Sequence, residues 1–113
     1  VEKVEAEFHQ DFPDQVRQVL RVAILTRHAG IEYLAGMFSI HSRTLRRRLG
    51  EYGTSFQELL DDVRYQLARQ LLESRGLNYG QIADMLGYSD VRSFSRAFKR
   101  WSGLTPSDWQ SLP

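Results

Sequence analysis

Apolar residues recur at helical spacing along most of the chain. After Pro13-Asp14, the positions Val16, Val19, Leu20, Ala23 and Ile24 fall at i, i+3, i+4, i+7 and i+8, one stripe of an amphipathic helix. Gly30 is its expected stop. Ile31, Leu34, Ala35 and Phe38 share one face of a short helix over 31–38. Ser39-Ile40-His41 has turn character, and a second short helix follows from Ser42 to Leu49, ended by Gly50 and Gly53. The longest pattern runs over 55–74, where Leu59, Leu60, Val63, Leu67, Leu71 and Leu72 keep helical spacing. Ser55 with Glu58 reads as a capping box at its start, and Gly76 as its stop. Asn78 with Gln81 is a second capping box, opening a helix over 79–86. Gly87 begins a turn, and a helix over 91–101 carries Val91, Phe94, Phe98 and Trp101. Thr105-Pro106 caps and starts a last short helix anchored by Trp109. No segment alternates with strand period. The expected fold is all-α, with about seven helices.

The chain also repeats itself. Leu34-Ala35-x-Met37-Phe38-Ser39-Ile40 matches Ile82-Ala83-x-Met85-Leu86-Gly87-Tyr88 at an offset of 48. Beyond the turn the offset is 49, and Arg43-Thr44-Leu45-x-Arg47-x-Leu49 matches Arg92-Ser93-Phe94-x-Arg96-x-Phe98. The second copy therefore has one more residue in its turn. Each copy has the logic of a helix-turn-helix. A small residue, Ala35 or Ala83, lets two helices approach. An apolar residue in the turn, Ile40 or Tyr88, plugs the gap. Leu45 and Leu49, or Phe94 and Phe98, seat the second helix on the first.

A helical wheel sharpens this. With Leu45 at 0° and ~100° per residue, Leu49 lies near 40°, Arg43 near 160° and Arg47 near 200°. Arg46 and Arg48 fall on opposite flanks. Arg92 and Arg96 take the same outward places in the second copy. Like charges at i, i+4 destabilise an isolated helix by about 0.2–0.5 kcal/mol, a cost that a polyanion removes. Arginine is also the side chain that pairs bidentately with guanine O6 and N7 in the major groove. A linker helix of twenty residues spans roughly 30 Å, and successive major grooves on one face of B-DNA repeat at ~34 Å.

Composition changes this picture little. The chain has 113 residues, one domain's worth. Its net charge of +1 hides a division: five acids (Glu2, Glu5, Glu7, Asp11, Asp14) against Lys3 at the start, and basic clusters at 43–48 and 92–100. Residues 1–13 read as a tail or linker before a domain over 14–113. With no cysteine, disulfides and thiolate chemistry are excluded. No apolar run approaches membrane-spanning length. A first residue other than Met suggests a piece of a longer protein. Glu58, Asp61 and Asp62 read as a solvated helix face, and His9, His28 and His41 lack metal spacing. No P-loop or nucleophile elbow is present. Neither enzyme chemistry nor a cofactor or metal is expected. Phe94, Phe98 and Trp101 read as core, not as platforms for stacked bases.

Residues 79–109, YGQIADMLGYSDVRSFSRAFKRWSGLTPSDW, resemble the signature of the AraC/XylS family of bacterial transcription regulators. The matching pieces are Ile82-Ala83, Leu86-Gly87-Tyr88, Phe94-Ser95-Arg96-Ala97-Phe98-Lys99 and Gly103-x-Thr105-Pro106. The first half matches through Leu34-Ala35, Ser42-x-Thr44-Leu45-x-Arg47-x-Leu49 and Gly53-Thr54-Ser55-Phe56. The likeness covers about residues 15–110. It implies two helix-turn-helix subdomains, about 31–50 and 79–101, joined by a linker helix over 55–74. It implies sequence-specific binding of double-stranded promoter DNA in the bacterial cytoplasm, and most often activation through RNA polymerase. An upstream effector or dimerisation domain is expected before this chain. Groove-facing positions carry over to Arg43, Arg46 and Arg47, and to Val91, Arg92, Ser95 and Arg96. Of these, Arg43, Arg46, Arg47, Arg92, Ser95 and Arg96 are the expected base readers. Val91 is apolar where a polar reader is usual, and is expected to pack inward. Ser39 stands where the family often has glycine. His41, Thr54, Ser93, Lys99 and Arg100 are candidate phosphate contacts. Arg48 has no counterpart at Ala97 and is expected at a phosphate or in an intradomain pairing. A second reading of the chain is a helical protein-interaction module that binds an acidic protein partner.

Overall fold

A computed structural model describes residues 11–113. Among these residues there are seven helices and no strands: α1 (Phe12–Leu25), α2 (Ile31–Met37), α3 (Ser42–Glu51), α4 (Phe56–Ser74), α5 (Tyr79–Met85), α6 (Val91–Ser102) and α7 (Pro106–Gln110). The acids Glu2, Glu5 and Glu7, Lys3 and His9 lie outside the described residues.

Helix α1 begins earlier than Pro13-Asp14. Asp11 is its cap, its carboxylate accepting from the Asp14 N–H at 2.9 Å, and Phe12 is already buried. Val16, Leu20, Ala23 and Ile24 form the buried stripe. The helix also ends earlier than Gly30. Arg27 takes a left-handed φ of 66°, and the His28 N–H closes back on the Ala23 carbonyl at 2.7 Å. Gly30 instead caps the start of α2 in an extended conformation. The same substitution of an arginine for the expected glycine occurs after α4, where Arg75, not Gly76, is left-handed (φ 56°). Gly50 lies inside α3, and the turn after it is made by Gly53.

The caps of α4 and α5 differ. Asn78 and Gln81 make both bonds of a capping box. Ser55 accepts from the Glu58 N–H, but the Glu58 carboxylate takes a bond from Thr54 Oγ1 at 3.0 Å instead of reaching back to the cap.

Helix α4 is the spine. It packs against α1 on one side and against α5, α6 and α7 on the other, while α2 and α3 pack on each other and on α1. Leu59, Leu60, Val63, Leu67, Ala68 and Leu72 carry α4 into a single continuous core that also holds Leu20, Leu45, Leu49, Ile82, Phe94 and Phe98. Leu71 is only partly buried at the edge of that core. Helix α7 braces the far end. The Trp109 ring meets Phe98 edge-on at 6.0 Å, and Gln110 Nε2 donates to the Leu72 carbonyl at 2.9 Å.

Candidate nucleic-acid interface

The two halves fold as the repeat predicts. The Ile40 N–H donates to the Ala35 carbonyl at 3.1 Å, and the Tyr88 N–H donates to the Ala83 carbonyl at 2.9 Å. Ser39 and Gly87, equivalent by the offset of 48, both lie at positive φ, 58° and 89°. The serine thus adopts the glycine conformation and leaves the turn geometry unchanged. Four residues separate α2 from α3 and five separate α5 from α6. The insertion is thus taken up after Tyr88, just before the second recognition helix.

Burial orients both recognition helices. Leu45 and Leu49 of α3, and Phe94 and Phe98 of α6, are 0% exposed. Arg43, Arg46 and Arg47 are exposed on α3, and Arg92 and Arg96 are exposed on α6. Ser95 is half-buried on a flank of α6. Phe94, Phe98 and Trp101 form an aromatic cluster with Tyr65, Tyr88 and Trp109. Burial raises the Tyr88 phenol pKa above its ordinary value, while the Arg64 guanidinium beside it pulls the other way. The turn plug of the second copy is therefore a neutral phenol.

The caps of the two recognition helices are not alike. His41 caps α3, with Nδ1 accepting from the Arg43 N–H at 3.0 Å. Asp90 caps α6, accepting from the Ser93 N–H at 2.7 Å. Hydrogen bonds from the Ser93 backbone and hydroxyl, then the charges of Arg96 and Arg92, hold the Asp90 carboxyl below the usual carboxylate range. The first cap is an imidazole, the second an anion beside the basic face.

The remaining candidates fall in distinct places. Arg46 and Thr54 line one open depression with Ile31, Ser55, Phe56 and Gln57, where α3 meets the start of α4. Arg47 is joined to Glu51 at 3.1 Å. Arg48 is engaged within the fold, its guanidinium 4.0 Å from the centre of the Phe12 ring. Lys99 and Arg100 are exposed in the last turn of α6, where cations suit the helix dipole. Val91 does not pack inward as expected. It is the first residue of α6, ahead of the buried Phe94–Phe98 stripe, and is 38% exposed. Two residues absent from the expected set stand on this surface, Glu51 and Asp90. The i, i+4 spacing of Arg47 and Glu51 was the signal for the first.

The acids on α4 are engaged separately. Glu58 accepts from Thr54, Asp61 from Gln57 at 3.1 Å, and Asp62 pairs with Arg17 at 3.7 Å. His28 stacks on Tyr33 at 4.6 Å. Among the described residues, no three His, Asp or Glu side chains stand together in a way that holds a metal ion, and no helix is long and apolar enough to cross a membrane.

Two matched helix-turn-helix units on one spine, each turning arginines outward, define a DNA-binding domain of the transcription-regulator class. The comparisons agree. The family model described as a helix-turn-helix domain matches residues 34–111, and the chain belongs to this AraC-type family. An HTH-type transcriptional regulator of Mycobacterium tuberculosis is 50% identical over 76 residues, which cover 67% of this chain and 22% of that protein. The ornithine utilization regulator of Pseudomonas aeruginosa is 42% identical over 83 residues, covering 74% of this chain and 24% of that protein. The chain thus spans about a quarter of the length of these relatives. Among solved structures, a DNA-binding transcriptional dual regulator from Escherichia coli superposes with a TM-score of 0.84 at 26% identity, over 90% of this chain and 91% of that one.

Proposed function

We propose that this domain reads a bacterial promoter duplex with α3 and α6 in two successive major-groove segments, the basic flanks holding the backbone. The observation that carries the reading is the doubled geometry. Two copies with the same turn bond bury the same two positions and present arginines at the same outward places. Arg43, Arg46 and Arg47 read bases from the first helix, and Arg92, Ser95 and Arg96 from the second. His41, Thr54, Ser93, Lys99 and Arg100 hold phosphates. The longest dimension, 39 Å, and a 19-residue spine of about 28 Å are commensurate with one duplex turn. The relatives support a role in transcription, and the alternative of a module for an acidic protein is not favoured.

In the intact protein we place this unit after an effector or dimerisation domain, in the cytoplasm. It acts as an activator that contacts RNA polymerase and performs no catalysis. The test is a salt titration of affinity for a duplex selected in vitro and for a scrambled one. Binding by counterion release weakens steeply with salt. A sequence reader keeps a large affinity ratio between the two duplexes. Equal affinities at every salt concentration contradict base reading.

A further inference from the structure

Glu51 is a carboxylate on the wrong end of the wrong surface. It is the last residue of α3, where the helix dipole disfavours an anion. Its partner Arg47 precedes it by four residues, and acid-after-base is the weaker order for such a pair. Arg47 and Glu51 are 64% and 61% exposed, so the pair adds little to stability. On the wheel Glu51 falls near ~240°, beside Arg47 at ~200° and away from the buried leucines. It therefore faces the same direction as the arginines and repels any polyanion that they attract. The matching position of the second copy, offset by 49, is Arg100, a cation that both the dipole and a phosphate favour. Helix stability does not account for Glu51, and charge works against it.

What Glu51 does is hold Arg47. The bond uses Nη1, at 3.1 Å from Glu51 Oε2. The other N–H groups of the guanidinium stay available for an acceptor. A long side chain otherwise loses rotamer freedom when it meets a base edge. A side chain that such a bond biases toward one rotamer has less freedom to lose and reaches the nearest phosphate less often. Among the described residues, Arg92 and Arg96 show no such hydrogen bond or ion pair and interact with Asp90 through charge alone.

We propose that Glu51 is a positioning residue. It presents Arg47 to a base edge and gives the first recognition helix its discrimination, at the expense of affinity for DNA in general. This rests on the base-reading role proposed above for Arg47.

The test uses a duplex selected in vitro from a random pool with the wild-type chain. Affinities are measured for that duplex, for its single-base variants and for a scrambled duplex, with Arg47→Ala, Glu51→Ala and Glu51→Gln. Arg47→Ala identifies the base pair that Arg47 reads. Glu51→Ala is expected to tighten binding to the scrambled duplex and to lower the preference at that base pair about tenfold, within the range of one bidentate contact. Glu51→Gln keeps an acceptor oxygen without the charge. It should tighten scrambled binding as much, yet retain part of the preference. If both Glu51 variants tighten every duplex by one common factor, Glu51 is only a repelling charge and the proposal is overturned. If Arg47→Ala leaves every base preference intact, the reading beneath it falls instead.

Discussion

The Arg48 guanidinium lies over the Phe12 ring, 4.0 Å from its centre, and Phe12 in turn meets the Phe38 ring edge-on at 5.4 Å. The first residue of α1 is thereby joined to the turn of the first helix-turn-helix and to its recognition helix. A contact of this kind is worth about 0.5–1 kcal/mol at a partly exposed site. Arg48→Ala should lower the free energy of unfolding by that amount in a denaturant titration. It should change the salt slope of DNA binding less than Lys99→Ala does.

Arg43 and Arg92 occupy the same outward place in the two copies. Replacing either with alanine should cost ~1–3 kcal/mol at one base position and relax preference there. Competition binding with single-base variants of a selected duplex measures this. The two substitutions should affect positions about one helical turn apart.

Ser39 pays for its left-handed φ of 58° where Gly87 does not. The strain is roughly 1–2 kcal/mol for a residue with a Cβ. Glycine's extra chain entropy returns roughly 0.5–1 kcal/mol of that. Ser39→Gly should therefore stabilise the domain by about 0.5 kcal/mol, and Gly87→Ala should destabilise it. Thermal melts of both variants check the sign, which should be opposite.

Arg27 and Asp84 join the loop before α2 to α5 through a 2.7 Å ion pair, with both side chains more than 60% exposed. Solvent screening limits such a pair to below about 1 kcal/mol. A double-mutant cycle should find a small coupling at low salt that vanishes at high salt.

The Asp90 carboxyl sits below its ordinary value of 3.8 because the Ser93 backbone N–H binds its charged form. A depressed folded-state value means that the cap contributes fully above the unfolded value. Its contribution is lost as pH falls below 3.8 through the folded value. Asp90→Ala should remove this part of the acid dependence, seen as a flatter stability profile below pH ~4.

Much of this was legible in the sequence because packing dictates it. The stripes of α1, α4 and α6 follow from 3.6-residue spacing, and the doubled turn follows from the repeat of Ala35 and Ile40 in Ala83 and Tyr88. What the sequence hid depends on local backbone choices. Arg27 and Arg75 take left-handed conformations at helix ends, although Gly30 and Gly76 stood nearby for the purpose. Phe12 was masked by its place before a proline, and only the folded chain brings Arg48 across it. Val91 looked buried because it is apolar, yet at the start of α6, ahead of the Phe94–Phe98 stripe, it is 38% exposed. At the interface, outward arginines could be read from a wheel. The single bond that distinguishes Arg47 from its counterpart Arg96 was signalled only by the i, i+4 spacing of Arg47 and Glu51.

The proposed function requires one chain to read two major-groove segments at once. Footprinting of the wild-type domain on an in vitro selected duplex tests it most directly. Two protected segments are expected on one face, centred about 10 base pairs apart, with Arg43→Ala weakening one and Arg92→Ala the other. A single protected segment, weakened alike by both substitutions, would contradict it.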